Sequence, residues 1–245
     1  VLEELDAEQY KHFLFLVVAL RREVIDADEF RVQWLSRLLG MRVKFTDYRK
    51  EVTEELMGQL DALDGYYENG ELRLSTGMNL LPAFNGWKAR VGDMLNGLTF
   101  GDFVECLDAL GVINESEDDS AREAAFNEIT CKLYVREAEG DESVPVLLAV
   151  HAVTLVVSVF NMLTKEPIEI AGKPIDFGII FRPVPGVPTR ANDNTGWHGM
   201  AIEVATGGVF GTLKQVNETP MWDVLLYLYR CKFELMHDKT RRSKK

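Results

Sequence analysis

The chain has 245 residues, 47% of them hydrophobic and 27% charged, which is enough to bury one large core or two smaller ones. Its formal net charge is -12, so its surface repels nucleic acid except where cations gather, and they gather in HDKTRRSKK, residues 237–245. Cys106, Cys131 and Cys231 are odd in number, widely spaced and in no CxxC pair, a pattern that excludes a disulfide framework or zinc knuckle and fits a reducing compartment.

The opening residues Glu3, Glu4 and Asp6 are acidic, unlike the basic region of a secretory signal, so no signal peptide is expected. Asp6 with Gln9 three residues on forms a capping-box pattern. The helix it starts contains FLFLVVAL and is apolar on nearly every side, as a buried helix is. Asp26 with Glu29 repeats the pattern. Phe30, Trp34, Leu35, Leu38 and Leu39 then recur at helical spacing until Gly40 stops the run. MRVKFT reads as a short strand, Asp47 as the cap of a third helix, YRKEVTEELMGQLDAL, and GYYENGELRLS as a hairpin turning at Asn69-Gly70.

The stretch LLPAFNGWKARVGDMLNG reads as irregular. Thr99 caps FGDFVECLDALGV, with Asp102 in its first turn. NESEDDS is a solvated turn, AREAAFNEITCKLYV a helix, and REAEGDES an acidic linker. Pro145 then opens VPVLLAVHAVTLVVSVFNML, residues 144–163. That segment is about 30 Å long as a helix, enough to cross a bilayer. His151, Thr154, Ser158 and Asn161 lie inside it, and lipid-facing His or Asn is costly, so a buried helix with a satisfied histidine is the expected state.

After Lys165 the texture changes. PIEIAGKPIDFGIIFRP reads as two extended runs about Gly172-Lys173-Pro174, and RPVPGVPTRANDNTGWH as a loop. Asn194 or Thr195 would cap GWHGMAIEVA, which meets Gly207, Gly208 and Gly211. A phosphate-binding loop places such glycines before a helix and after a strand. Here they follow a helix and match neither GxGxxG nor GxxxxGK[ST], so they read as a joint, with Lys214 in the connector. Beyond it Thr219 is a candidate cap and Pro220 a candidate first helical residue. Trp222, Leu225, Leu226, Tyr229, Phe233 and Met236 then follow one helical stripe.

The sequence holds four histidines: His12, His151, His198 and His237. None makes a metal pair at i, i+4, no GxSxG elbow is present, and no nucleophile signature surrounds a cysteine. Neither a catalytic residue, nor a cofactor site, nor a metal site is assigned. Two alternatives stay open: an enzyme of unknown class with a site near His198, and a membrane-associated adaptor acting through residues 144–163.

The expected fold is mainly α, a multi-helix bundle-like domain with one or two small β-hairpins, the first near residues 66–74 and a second β element near 168–181. Residues 1–165 form the helical part and 166–245 a C-terminal segment with the short β element, the Pro-rich loop and two helices; one continuous domain accommodates the same elements.

Three segments carry a resemblance: NLLPAFNGWKARVGDMLNGLTFGDFVECL, NEITCKLYVRE, and NTGWHGMAIEVATGGVFGTLKQVNETPMWDVLLYLYRCKFE. In order and texture they resemble proteins of bacteriophage and prophage tail modules, including tail assembly chaperones and small tail-associated proteins. The resemblance spans the last two-thirds of the chain. It implies a non-enzymatic protein that binds other proteins of a tail-like assembly, such as a tape-measure-like helical protein, in the host cytoplasm during assembly or in the virion. The expected docking residues are Trp222, Tyr229 and Phe233 on the last helix, with Arg241 and Arg242 in its basic extension.

Overall fold

The computed structural model describes residues 2–40, 60–68, 71–72, 74–137, 143–182 and 196–242, with side chains after Met236 left aside. Among these residues the chain is mainly α-helical, with eight α-helices, several short 3-10 turns and seven short strands. The strand-like run 41–46, the Asp47 cap and most of the third expected helix lie outside the described residues. So do the Asn69-Gly70 turn, part of the acidic linker before Ser143, and the Pro-rich loop with Asn194 and Thr195.

Helix α1 (Ala7–Arg21) starts at the Asp6–Gln9 capping box, and α2 (Ala27–Leu38) at the Asp26–Glu29 box. Each box satisfies two helix-end N–H groups reciprocally. The stop of α1 is less conventional: Glu23 adopts φ 57, and the N–H groups of Glu23 and Val24 bond back to the carbonyls of Leu20 and Ala19. That is a Schellman ending without its usual glycine. Phe13, Phe30, Trp34 and Tyr66 meet at ring-centroid separations of 5.0 to 6.0 Å in a small aromatic core that α1, α2 and the 3-10 turn Leu60–Tyr66 share. Strands β1 (Tyr67–Glu68) and β2 (Glu71–Leu72) pair antiparallel on either side of residues 69–70.

A second hairpin lies in the stretch expected to be irregular. Strands β3 (Ala83–Phe84) and β4 (Trp87–Ala89) pair around Asn85 (φ 47) and Gly86 (φ 81). Two successive positive φ values are what a tight hairpin of this twist requires, and Asn-Gly supplies them at least cost. The expected helical ending at KLYV also differs: α4 (Asp119–Leu133) stops at Leu133, and β5 (Tyr134–Arg136) adds a third strand beside β4. Between these strands and α4 runs α3 (Phe100–Glu115), capped by Thr99, whose hydroxyl oxygen accepts from Asp102 N at 3.1 Å.

Helix α5 (Val146–Lys165) is the spine of the larger core. It packs against α1, α4 and the 3-10 turn Phe177–Phe181, and Leu148, Ala152, Leu155, Val156, Val159 and Leu163 are fully buried. It is the one described helix long and apolar enough to cross a membrane, yet half of its apolar window is covered by the protein itself. Its polar groups turn inward to partners: Ser158 Oγ accepts from Thr76 N at 3.1 Å, and His151 is fully buried. The chain then forms β6 (Ile168–Ile170) and β7 (Lys173–Ile175). Their turn lies at Ala171 and Gly172, both at positive φ, one residue before the expected position; the expected second run pairs over Lys173–Ile175, and its continuation Phe177–Phe181 is a 3-10 turn. The core around α5 draws residues from both sides of Lys165, from Trp87 to Leu225.

The two cores meet at a polar seam. Asn79 Nδ2 donates to Val91 O, which fixes its other terminal atom as the oxygen. That oxygen accepts from Tyr134 Oη at 2.9 Å and from Leu81 N at 3.2 Å, and lies 3.0 Å from His151 Nε2. Because the oxygen cannot donate, Nε2 carries the imidazole proton. Nδ1 then accepts the Tyr10 hydroxyl at 2.8 Å. Desolvation by burial holds the His151 pKa down, to about 4, and burial raises both phenols above their ordinary range, so all three groups are neutral near pH 7.

Removal of this shared acceptor leaves three donors without it. Asn79→Ala is expected to lower unfolding stability by about 3 kcal/mol in urea titrations, against about 1 kcal/mol for loss of the helix cap in Thr99→Ala.

Candidate functional site

The glycines between the last helices serve as stops and starts. Helix α6 (Gly196–Thr206) ends as Gly207 N bonds to Glu203 O at 3.0 Å and Gly208 N to Ala205 O at 3.0 Å, with Gly208 at φ 73. Both N–H groups are thereby committed to helix carbonyls, so they do not converge on an anion. A Cβ on Gly207 would stand 3.0 Å from Tyr227 Oη and 3.3 Å from Val204 O, which explains glycine there. The connector is not extended: Thr212 and Gln215 form a capping box for the short α7 (Leu213–Glu218). Lys214 reaches Glu218 across one turn at 3.7 Å.

Thr219 ends α7 rather than capping the last helix, since its hydroxyl donates to Gln215 O at 2.7 Å. The start of α8 (Met221–Arg242) is held by backbone instead. Thr219 O accepts from Phe100 N at 2.8 Å and Leu98 O accepts from Met221 N at 2.9 Å, so the segment before α8 is laced to the segment before α3. Pro220 O then accepts from Asp223 N and Val224 N, and Asp223 sits in the first turn, where the helix dipole favours an acid.

The first half of α8 belongs to the core. Met221, Val224 and Leu225 are fully buried. Trp222 is half-buried: its indole N–H donates to Met94 O at 3.0 Å and its ring meets Phe177 edge-on at 5.7 Å. Tyr229 is shared, packing on Phe177 at 5.8 Å on one side and stacking on Phe233 at 5.8 Å on the other. Beyond it the exposure rises: Phe233 is 44% exposed and Leu235 53%. Arg230 pairs with Glu234 at 3.0 Å. Arg241 and Arg242 lie on the last turn, which continues the helix; their side chains lie outside the described set. The expected docking residues thus divide between half-buried Trp222 and Tyr229, exposed Phe233, and the two arginines of the last turn.

Two other polar arrangements lie on the surface of α3. His198 Nε2 lies 2.8 Å from Asp108 Oδ2, pairing α6 with α3, but both side chains are more than half exposed, and among the described residues no hydroxyl or thiol hydrogen bond accompanies the pair. A shallow groove of about 560 Å³ between α3 and α7 is lined by Thr99, Asp102, Glu105, Lys214, Asn217 and Glu218. Its acids are already matched: Lys132 bonds Asp102 at 2.8 Å and also Glu105, while Glu218 faces Lys214. Burial opposes the Lys132 charge, but the hydrogen bonds from Asp102 and Glu105 outweigh it and raise its pKa. Burial, reinforced by Asp102, pushes the neighbouring Cys106 thiol up to about 12, so it is no nucleophile near neutrality. Among the described residues no cluster of three His, Cys, Asp or Glu side chains could hold a metal ion.

The feature that sequence reasoning did not assemble is the Tyr10–His151–Asn79–Tyr134 cluster. His151 was legible as a core histidine, but its partners come from three separated segments with no local signal. No protein-family model matches the chain, and neither a curated protein nor a solved structure matches it.

The division within α8 has a measurable consequence. Trp222→Ala is expected to cost about 3 kcal/mol of folding stability, from lost burial and an orphaned carbonyl. Phe233→Ala and Leu235→Ser are expected to cost less than about 1 kcal/mol each in the same thermal or urea measurement.

Proposed function

We propose that this is a non-enzymatic docking protein that presents the outer half of α8 to an acidic protein partner during the assembly or construction of a phage tail-like particle. The observation that carries the reading is the change of character along one continuous helix. Its first turns are buried, while Phe233 and Leu235 on its outer part are exposed; in the sequence, residues 230–245, which run three residues past the described end of the helix, hold seven Lys or Arg against two Asp or Glu. The remaining residues hold 20 basic against 37 acidic groups. A basic helix end on an acidic molecule is steered toward negative surfaces, and exposed aromatic and aliphatic groups convert the encounter into a bound state.

The resemblance to tail-module proteins supplies the setting: a tape-measure-like helical protein would offer the long apolar and charged surface that such an end fits. Tyr229 contributes by fixing the direction of Phe233 through their stacked contact. Trp222 acts as the anchor that keeps the helix seated. Docking then uses a rigid, pre-formed helix, which reduces the ordering entropy that association costs.

The test is co-expression with the neighbouring gene products, followed by affinity measurement on the captured partner at several ionic strengths. Arg241→Glu with Arg242→Glu is expected to weaken binding at least tenfold at low salt and to flatten its salt dependence, while Phe233→Ala weakens it with the salt dependence kept. Full-strength binding by both variants, with helicity unchanged, would overturn the assignment of α8 as the docking element.

A further inference from the structure

The helical unit at the N-terminus has its own aromatic core, and the body around α5 has another. Between them lies a small contact in which Tyr10, Leu14 and Leu81 are buried, flanked by Leu5, Leu80, Leu147 and Val150. At its centre sits the His151 ring, with Tyr10 on one nitrogen and Asn79 on the other. Among the described residues, the hydrogen bonds that join α1 to α5 and to Asn79 converge on one titratable side chain.

We propose that this seam is an acid-operated latch: protonation of His151 releases the α1–α2 unit from the face of α5 while each unit keeps its own core. The hydrogen-bond geometry requires the outcome to be costly for the docked form. The Nε2 proton is already committed to the Asn79 oxygen, so the second proton must enter at Nδ1, where the Tyr10 hydroxyl now donates. Tyr10 would have to reverse its O–H and accept from Nδ1, giving up the acceptor to which it now donates. The ring would also carry a charge at zero solvent exposure.

Among the described residues no carboxylate compensates it. The titratable groups that face the ring are the two phenols, Tyr10 from α1 and Tyr134 from β5. Asp93 is one step removed, its carboxylate accepting from Asn79 N at 2.8 Å. Lys11 on α1 lies over the Phe84 ring instead. His12, two residues from Tyr10, is held below its ordinary pKa by partial burial and then by Arg37 on α2, within the same unit.

The sign follows from linkage. The docked His151 binds its proton near pH 4 and a released one near 6.5, so the released state binds more protons in that window. Docking is at full strength above about 6.5 and weakens about tenfold for each pH unit down to about 4.

The experiment is hydrogen exchange followed by mass spectrometry from pH 7.5 to 4, corrected for intrinsic exchange. The latch predicts that peptides from α1, from residues 79–81 and from the first turns of α5 lose protection together, while α3 and α4 stay protected. His151→Gln, which keeps a donor for Asn79 and does not titrate, should flatten that response; His12→Gln should retain it. If His151→Gln does not fold, the wild-type ring is titrated by NMR: a pKa below 5 that coincides with exchange in α1 supports the latch. A pKa near 6.5 in the folded protein, an unchanged profile in a folded His151→Gln, or simultaneous loss of protection in every helix would each overturn it.

Discussion

One side-chain carbonyl holds four pieces of chain in register. The Asn79 oxygen takes Tyr134 from β5, His151 from α5 and Leu81 N from its own segment, and through His151 it reaches Tyr10 on α1. A buried polar cluster gains little net stability when complete, because its members gave up water to form it. Its force is in the penalty for any other arrangement. A shift of α5 by one residue would orphan several buried groups at once, so the cluster selects one packing of surfaces that are otherwise apolar and tolerant of sliding. The same network continues toward the last helix. Asp93 holds Asn79 N, and the next residue, Met94, takes the Trp222 indole on its carbonyl.

That continuation bears on a backbone that is itself unusual. Met94 and Leu95 adopt φ 53 and 56, a left-handed pair without glycine. Each such residue costs on the order of 1 kcal/mol or more, and persists only where its surroundings fix it. Here they do: Met94 N donates to Gly77 O at 2.6 Å, Met94 O accepts from Trp222, and Leu95 is fully buried. The seat of α8 and the turn that supports Asn79 are thus one construction. An apolar stripe on α8 beginning with Trp222 is what the periodicity showed, and in the structure its first part packs in this seat.

What the sequence made legible was local chemistry. The Asp6, Asp26 and Thr99 caps, the stop at Gly40 and the burial of α5 all follow from residue type and spacing over a turn or two. The misreadings have the same physical origin in reverse. Asn85-Gly86 carries the signal credited at Asn69-Gly70, but Pro82 and the glycines around it hid strands only two and three residues long. Tyr134–Arg136 has helical neighbours and becomes a strand because β4 offers it a ladder, a tertiary choice over a local one. Thr219 looks like a cap, but its hydroxyl turns back to α7 while Leu98 and Phe100 take the backbone around it. No window of sequence contains Tyr10, Asn79, Tyr134 and His151 together, so their cluster is written only in the fold.

The charge distribution sets what the outer half of α8 must overcome. The same molecule that carries seven basic groups in its last sixteen residues carries a large excess of acids elsewhere, and a tethered pair of opposite charges has a high local concentration for each other. Were residues 230–242 a flexible tail, folding back onto the acidic body would compete with any partner. As a helix they rise only about 20 Å along one fixed axis, and bending back would break i to i−4 hydrogen bonds. A continuous helix therefore disfavours fold-back of residues 230–242 onto the acidic body. The direction of the exposed end is set in turn by how firmly the first turns of the helix are seated through Trp222.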